Sequence, residues 1–63
     1  MFGFSRYLVK KTVEGYTNWL VVTETDAGEV ESWSDKREEG TPLLKDTADL
    51  WIWDLGGELD AVD

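Results

Sequence analysis

Carboxylates recur at alternate positions in Glu29 and Glu31, and Asp35 continues the row beyond Trp33. Glu24, Asp26, Glu38 and Glu39 are close by in the chain. Side chains of this type can act as a general acid and base, gather a hard cation, or present fixed charge to a cationic partner. The first role needs a cleft that drives two pKa values apart. The pairs close in sequence, Asp46/Asp49 and Glu58/Asp60, fall instead on a short helix start and an acidic tail. The second role needs the spaced ligands of a calcium loop, a pattern that Asp26, Glu29 and Glu31 lack. With no histidine and no cysteine, the chain is also without the commonest general base, thiolate metal ligands and disulfides. Gly56-Gly57 is no phosphate cradle, since neither a helix start nor a lysine follows it. Catalysis, metals and cofactors are therefore not expected. Charge presentation is what remains.

The elements that must carry those charges read mainly as strands. Arg6 to Val13 is rich in β-branched and aromatic residues, and Glu14-Gly15 supplies a turn. Asn18 to Glu24 alternates Trp19, Val21 and Thr23 with Leu20, Val22 and Glu24. Asp26-Ala27-Gly28 closes a hairpin, and Glu29 to Ser34 returns as a third strand. Asp35 to Gly40 is a charged loop. Thr41-Pro42 has the form of a helix start, so Pro42 to Ala48 is expected to make one or two helical turns. Leu50 to Leu55, short and aromatic-rich, reads as a fourth strand ended by Gly56-Gly57. The expectation is a mainly β or small α+β fold. It consists of a single antiparallel sheet of three or four strands, with at most one short helix before the last. Residues 1–63 form one domain, and 58–63 a frayed tail.

Strand parity then sets which side chains share a surface. Glu29, Glu31, Trp33 and Asp35 fall on one face, and Val30, Ser32 and Ser34 on the other. Either Trp33 points outward among carboxylates, or a bulge turns it into the core. The second and last strands are apolar on both faces, unlike a sheet with one solvated side. Either Leu43, Leu44, Phe2 and Phe4 cover the second face, or a partner does.

Net charge is −8, from 14 acidic and 6 basic residues, and its distribution is lopsided. Residues 1–22 hold Arg6, Lys10 and Lys11 against Glu14 alone. Residues 23–63 hold Lys36, Arg37 and Lys45 against the remaining carboxylates, with no cation from Asp46 onward. Such a field steers association, and it opposes direct contact with nucleic acid or anionic lipid. No segment approaches the ~20 apolar residues of a membrane span. The first residues do not read as a signal peptide either, so the expected setting is cytoplasmic. At 63 residues the core is small, and the four tryptophans carry much of the area available for burial.

A short, acidic, cysteine-free and aromatic-rich β protein resembles inhibitors encoded by phages and mobile elements. These include uracil-DNA glycosylase inhibitors, anti-CRISPR proteins and anti-restriction proteins, several of them DNA mimics. Glu31-Ser32-Trp33 is similar to the Glu-Ser-aliphatic stretch that glycosylase inhibitors insert into their target's DNA groove, with Trp33 in place of the aliphatic residue. The resemblance implies that Glu31 and Ser32 imitate phosphate contacts in the host cytoplasm.

The expected function is inhibition of a nucleic-acid-processing enzyme by charge mimicry. Glu24, Asp26, Glu29, Glu31, Ser32, Trp33 and Asp35 would meet the basic groove of that nucleic-acid-binding protein. The alternatives are an assembly module that forms a homodimer through Trp19–Val22 and Leu50–Leu55, and a salt-adapted surface with no site at all. Mimicry requires that the carboxylates project together and that Lys36, Arg37 and Lys45 do not neutralise them.

Overall fold

A computed structural model describes residues 5–62. The chain runs β1 (Arg6–Val13), β2 (Tyr16–Thr25), β3 (Gly28–Ser34), a single 3-10 turn (Arg37–Glu39), β4 (Leu43–Leu44), α1 (Lys45–Leu55) and β5 (Glu58–Ala61). All strand pairings are antiparallel and join the strands into one five-stranded sheet. The expected fold class holds, with one more strand than anticipated.

The first two turns form as their residues predict. Glu14 and Gly15 both take positive φ, 53° and 84°, the mirror-image turn whose twist suits a two-residue hairpin. β2 and β3 then pair without interruption from Trp19↔Ser34 to Thr25↔Gly28.

β1 is the centre of the sheet. Tyr7 pairs with both Leu43 and Ala61, and Lys10 with both Trp19 and Glu58. β5 therefore runs along one edge of β1, while β2 and β4 share the other. The β1–β2 pairing stops at Lys10↔Trp19, and the segment leading into β4 fills the opening. There the Thr41 amide donates to Leu20 O at 3.1 Å, and Thr41 Oγ1 accepts from the Val22 amide at 3.4 Å. Among the described residues, the far half of the β2–β3 hairpin has no strand neighbour on the β1 side.

Three expectations in the C-terminal third are corrected. Leu50 to Leu55 is not a strand but the latter part of α1. Ala48, Trp51, Ile52 and Leu55 repeat at the helical spacing of three and four residues and lie against Val9, Leu20, Tyr7, Leu43 and Leu59. That face outweighs the β propensity of the tryptophans. Thr41-Pro42 does not start the helix either; Leu44 occupies the N-cap, with no side-chain cap. At the other end the Gly56 amide closes onto Ile52 O at 2.8 Å, and Lys11 Nζ donates to Leu55 O at 3.1 Å. The supposed frayed tail contains β5, and the Val62 amide extends its pairing by donating to Arg6 O. Polar, charged residues read as a tail because their value as a strand lies in backbone pairing with β1.

The second face of the sheet is closed by the loop after β3. Leu8 is buried there beside Trp19, and Gly40 sits directly over them. Leu43 instead joins the core on the helix side, and Leu44 is exposed. Phe2 and Phe4 lie outside the described residues. Asp60 of β5 clamps the loop: its Oδ2 accepts from Arg37 Nε at 2.6 Å and from Trp19 Nε1 at 2.9 Å, and Arg37 Nη2 reaches Ala61 O at 2.9 Å. Together the Arg37 and Trp19 hydrogen bonds, Arg37 first, hold the Asp60 carboxyl below its ordinary pKa.

Gly57 has φ of 122°, and a Cβ there would stand 2.5 Å from Lys10 O, a backbone atom that cannot turn aside. Gly57→Ala should therefore cost more than about 2 kcal/mol in urea unfolding. Asp60→Ala leaves Trp19 and Arg37 without their acceptor and should cost about 1–3 kcal/mol. Because the folded pKa is depressed, ionised Asp60 stabilises the fold fully above about pH 4, and that contribution fades as pH falls through the folded value. Acid also relieves the general repulsion between carboxylates. The measurement is thus the difference between wild type and Asp60→Asn, which should shrink as pH falls below about 4.

Candidate functional site

Unbroken pairing in the β2–β3 hairpin decides which side chains stand together. Leu20 lies opposite Trp33, Val22 opposite Glu31, and Glu24 opposite Glu29. Leu20 belongs to the core beneath α1, so all six residues share the helix side of the sheet. Beyond the edge of α1 that side becomes a row of Glu31, Glu29 and Glu24, every one of them exposed. Glu29 and Glu31 are about 6.5–7 Å apart along their strand, and Glu24 faces Glu29 across about 5 Å. Like charges placed directly opposite destabilise a strand pair. This ribbon carries them nonetheless.

No bulge interrupts β3, so Trp33 stays in line with the carboxylates. It is 37% exposed and forms one wall of a shallow depression of about 270 Å³, lined also by Lys11, Val13 and Asn18. The remaining residues of the expected set are placed differently. Asp26 lies in the hairpin turn and Asp35 in the bend after β3, one at each end of the row and both exposed. Ser32 points to the opposite face, across from Val21. Glu31 and Ser32 therefore cannot touch one flat surface together, and the phosphate-like pair implied by the resemblance is split between two faces.

The cations of the middle third are engaged elsewhere. Lys36 pairs with Glu39 at 3.9 Å, Arg37 with Asp60 at 2.6 Å and Lys45 with Asp49 at 2.7 Å. Glu24, Asp26, Glu29, Glu31 and Asp35 have no ion-pair partner among the described residues.

The carboxylate pairs considered for acid–base work are accounted for structurally. Asp49 holds Lys45, raising the lysine's pKa through its hydrogen bond, and Asp60 holds Arg37 and Trp19. Among the described residues no group of three or more metal-ligating side chains is placed to hold an ion. None of the described helices is long and apolar enough to cross a membrane.

One feature escaped the sequence reading. Once 45–55 is a helix, Leu50 and Trp53 fall on the side turned away from the sheet, 68% and 88% exposed. The signal was present in the spacing of Ala48, Trp51, Ile52 and Leu55, which leaves Leu50 and Trp53 no place inside. The strand on which the dimer alternative relied is therefore not formed. Its other half, Trp19–Val22, lies within the sheet, between α1 on one side and the Gly40 loop on the other.

Comparison with protein-family models, curated proteins and solved structures gave no match.

If the facing carboxylates are kept at the expense of stability, exchanging one should strengthen the fold. Glu29→Lys, opposite Glu24, should raise the unfolding free energy by about 0.2–1 kcal/mol in denaturant titration.

Proposed function

We propose that this protein binds the basic groove of a nucleic-acid-binding protein and inhibits it by presenting the β2–β3 hairpin as a polynucleotide-like row of charge. The observation that carries the reading is the alignment of Glu24, Glu29 and Glu31 on one face of a paired ribbon, with no ion pair to them among the described residues. Duplex DNA is likewise a stiff row of regularly spaced negative charge, and a groove lined with lysine and arginine responds to that spacing. The ribbon is held by backbone pairing, so little ordering entropy is lost when it docks. Trp33, in the same row and partly exposed, supplies the apolar anchor on which such an interface concentrates its energy. Asp26 and Asp35 extend the negative field at the ends of the row. Ser32, on the other face, has no part in this contact. A cytoplasmic setting accompanies the reading, since that is where targets of this type work.

The test is capture from host extract by wild type and by the Glu29→Lys/Glu31→Lys variant, followed by assay of the captured enzyme. Wild type should retain a nucleic-acid-processing enzyme, inhibit it, and be displaced by duplex DNA. Its affinity should fall by about tenfold or more between low and physiological salt. The variant should stay folded and lose inhibition. A captured partner that does not bind nucleic acid, or inhibition unaffected by charge reversal, would refute the reading.

A further inference from the structure

The outer face of α1 is a second surface that folding does not explain. Asp46, Leu50 and Trp53 are four and three residues apart and form one stripe along it, with Asp49 and Asp54 on its flanks. Scattered exposed leucines need no explanation, but a tryptophan left 88% exposed beside a leucine left 68% exposed forms a continuous apolar ridge. Both could be polar with no loss to the core, since Ala48, Trp51, Ile52 and Leu55 make all the helix's contacts with it.

Helix stability explains only part of the charge on this face. Asp46 suits the first turn, where the helix dipole favours a carboxylate. Asp54 stands in the last turn, where the dipole disfavours one, and no basic residue of α1 accompanies it there. Asp49 is paired with Lys45, whereas Asp46 and Asp54 have no ion-pair partner among the described residues. The ridge is thus apolar along its middle and negative at both ends.

We infer that this ridge docks a basic amphipathic helix of a partner protein. Leu50 and Trp53 would enter its apolar stripe, and Asp46 and Asp54 would meet flanking lysines or arginines. Residues three and four apart, as Asp46, Leu50 and Trp53 are, form the ridge that one helix packs against another. Tryptophan at its centre is the residue type most enriched where binding energy concentrates. A second copy of this chain is a poor occupant, because each copy would bring the same aspartates and a net charge of −8. An anionic membrane is excluded on the same ground. The contact uses no residue of the β2–β3 row, so it stands or falls separately from the inhibitor reading.

The probe is a synthetic amphipathic helical peptide of leucine and lysine, titrated into the full chain and followed by NMR of backbone amides and the four indole N–H groups. Shifts should centre on Asp46, Leu50, Trp53 and Asp54. Leu50→Ser/Trp53→Ser should weaken binding by about tenfold or more, and Trp53→Phe should restore most of it. Glu24→Gln/Glu29→Gln/Glu31→Gln should change it less than about threefold. Should the serine variant lose its fold by circular dichroism, Asp46→Asn/Asp54→Asn gives the same reading through a loss of about threefold or more. Shifts that map to the hairpin and vanish with the glutamine variant would overturn the inference. So would an absence of shifts, a dimer in sedimentation that Trp53→Ser converts to monomer, or burial of Trp53 in phosphatidylcholine vesicles.

Discussion

Ala48 has no exposed surface, and its small side chain lets α1 lie close over Val9 and Leu20. The rest of the structure depends on this approach. Only Leu8, Val9, Leu20 and Ala48 are fully buried among the apolar side chains described. A larger residue at position 48 would lift the helix and open the contacts of Trp51, Ile52 and Leu55 with the sheet. A domain of this size buries too little surface to tolerate such a gap. The two faces of β1 are then closed by different means. Packing does it on the helix side. On the other side, Leu8 and Trp19 are covered by a loop that Asp60 and Arg37 hold in place.

That division explains the use of charge. Lys11 holds the end of α1, Arg37 the second-face loop and Lys45 the first turn of the helix. Each cation joins elements or turns of the body, and none of these three forms an ion pair with a described carboxylate of the hairpin. The carboxylates of β3 and the end of β2 are accordingly left to face one another. An edge strand needs some defence against pairing with other chains, and charge is a common one. Alternate charged residues along β3 would suffice for that purpose. Placing Glu24 opposite Glu29 goes further, because it adds repulsion inside the hairpin where a threonine or lysine would have protected the edge equally well.

Much of this was legible in the residues. Strands 1 to 3 and both hairpin turns follow from β-branched alternation and from Glu14-Gly15 and Asp26-Ala27-Gly28. The grouping of Glu29, Glu31 and Trp33 follows from the two-residue period alone, because no bulge intervenes. The failures share one cause. Leu50 to Leu55 is too short a window for its aromatic content to be weighed against helical spacing, and only the addition of Ala48 reveals the period. Once that segment was read as a strand, the apolar ridge of Leu50 and Trp53 could not be seen. Glu58 to Ala61 carries no strand signature, since its pairing partner and the turn that delivers it, with Gly57 pressed against Lys10 O, are visible only in three dimensions. Ser32 was grouped with Glu31 by resemblance, although parity already placed it on the opposite face.

The hairpin row and the helix ridge both face the side of the sheet that carries α1, and they share no residue. Their chemistry differs in a way that matters for recognition. The row is charge with one partly buried tryptophan, suited to fast capture by a cationic groove and weakened by salt. The ridge is apolar with charge at its ends, suited to slower release once water has been expelled from around Trp53. A small rigid body that carries both can have an encounter surface and a retention surface on one side. On the two proposals taken together, a target offering only one contact is expected to be held less firmly, since two contacts on one scaffold reinforce each other without a second loss of translational freedom.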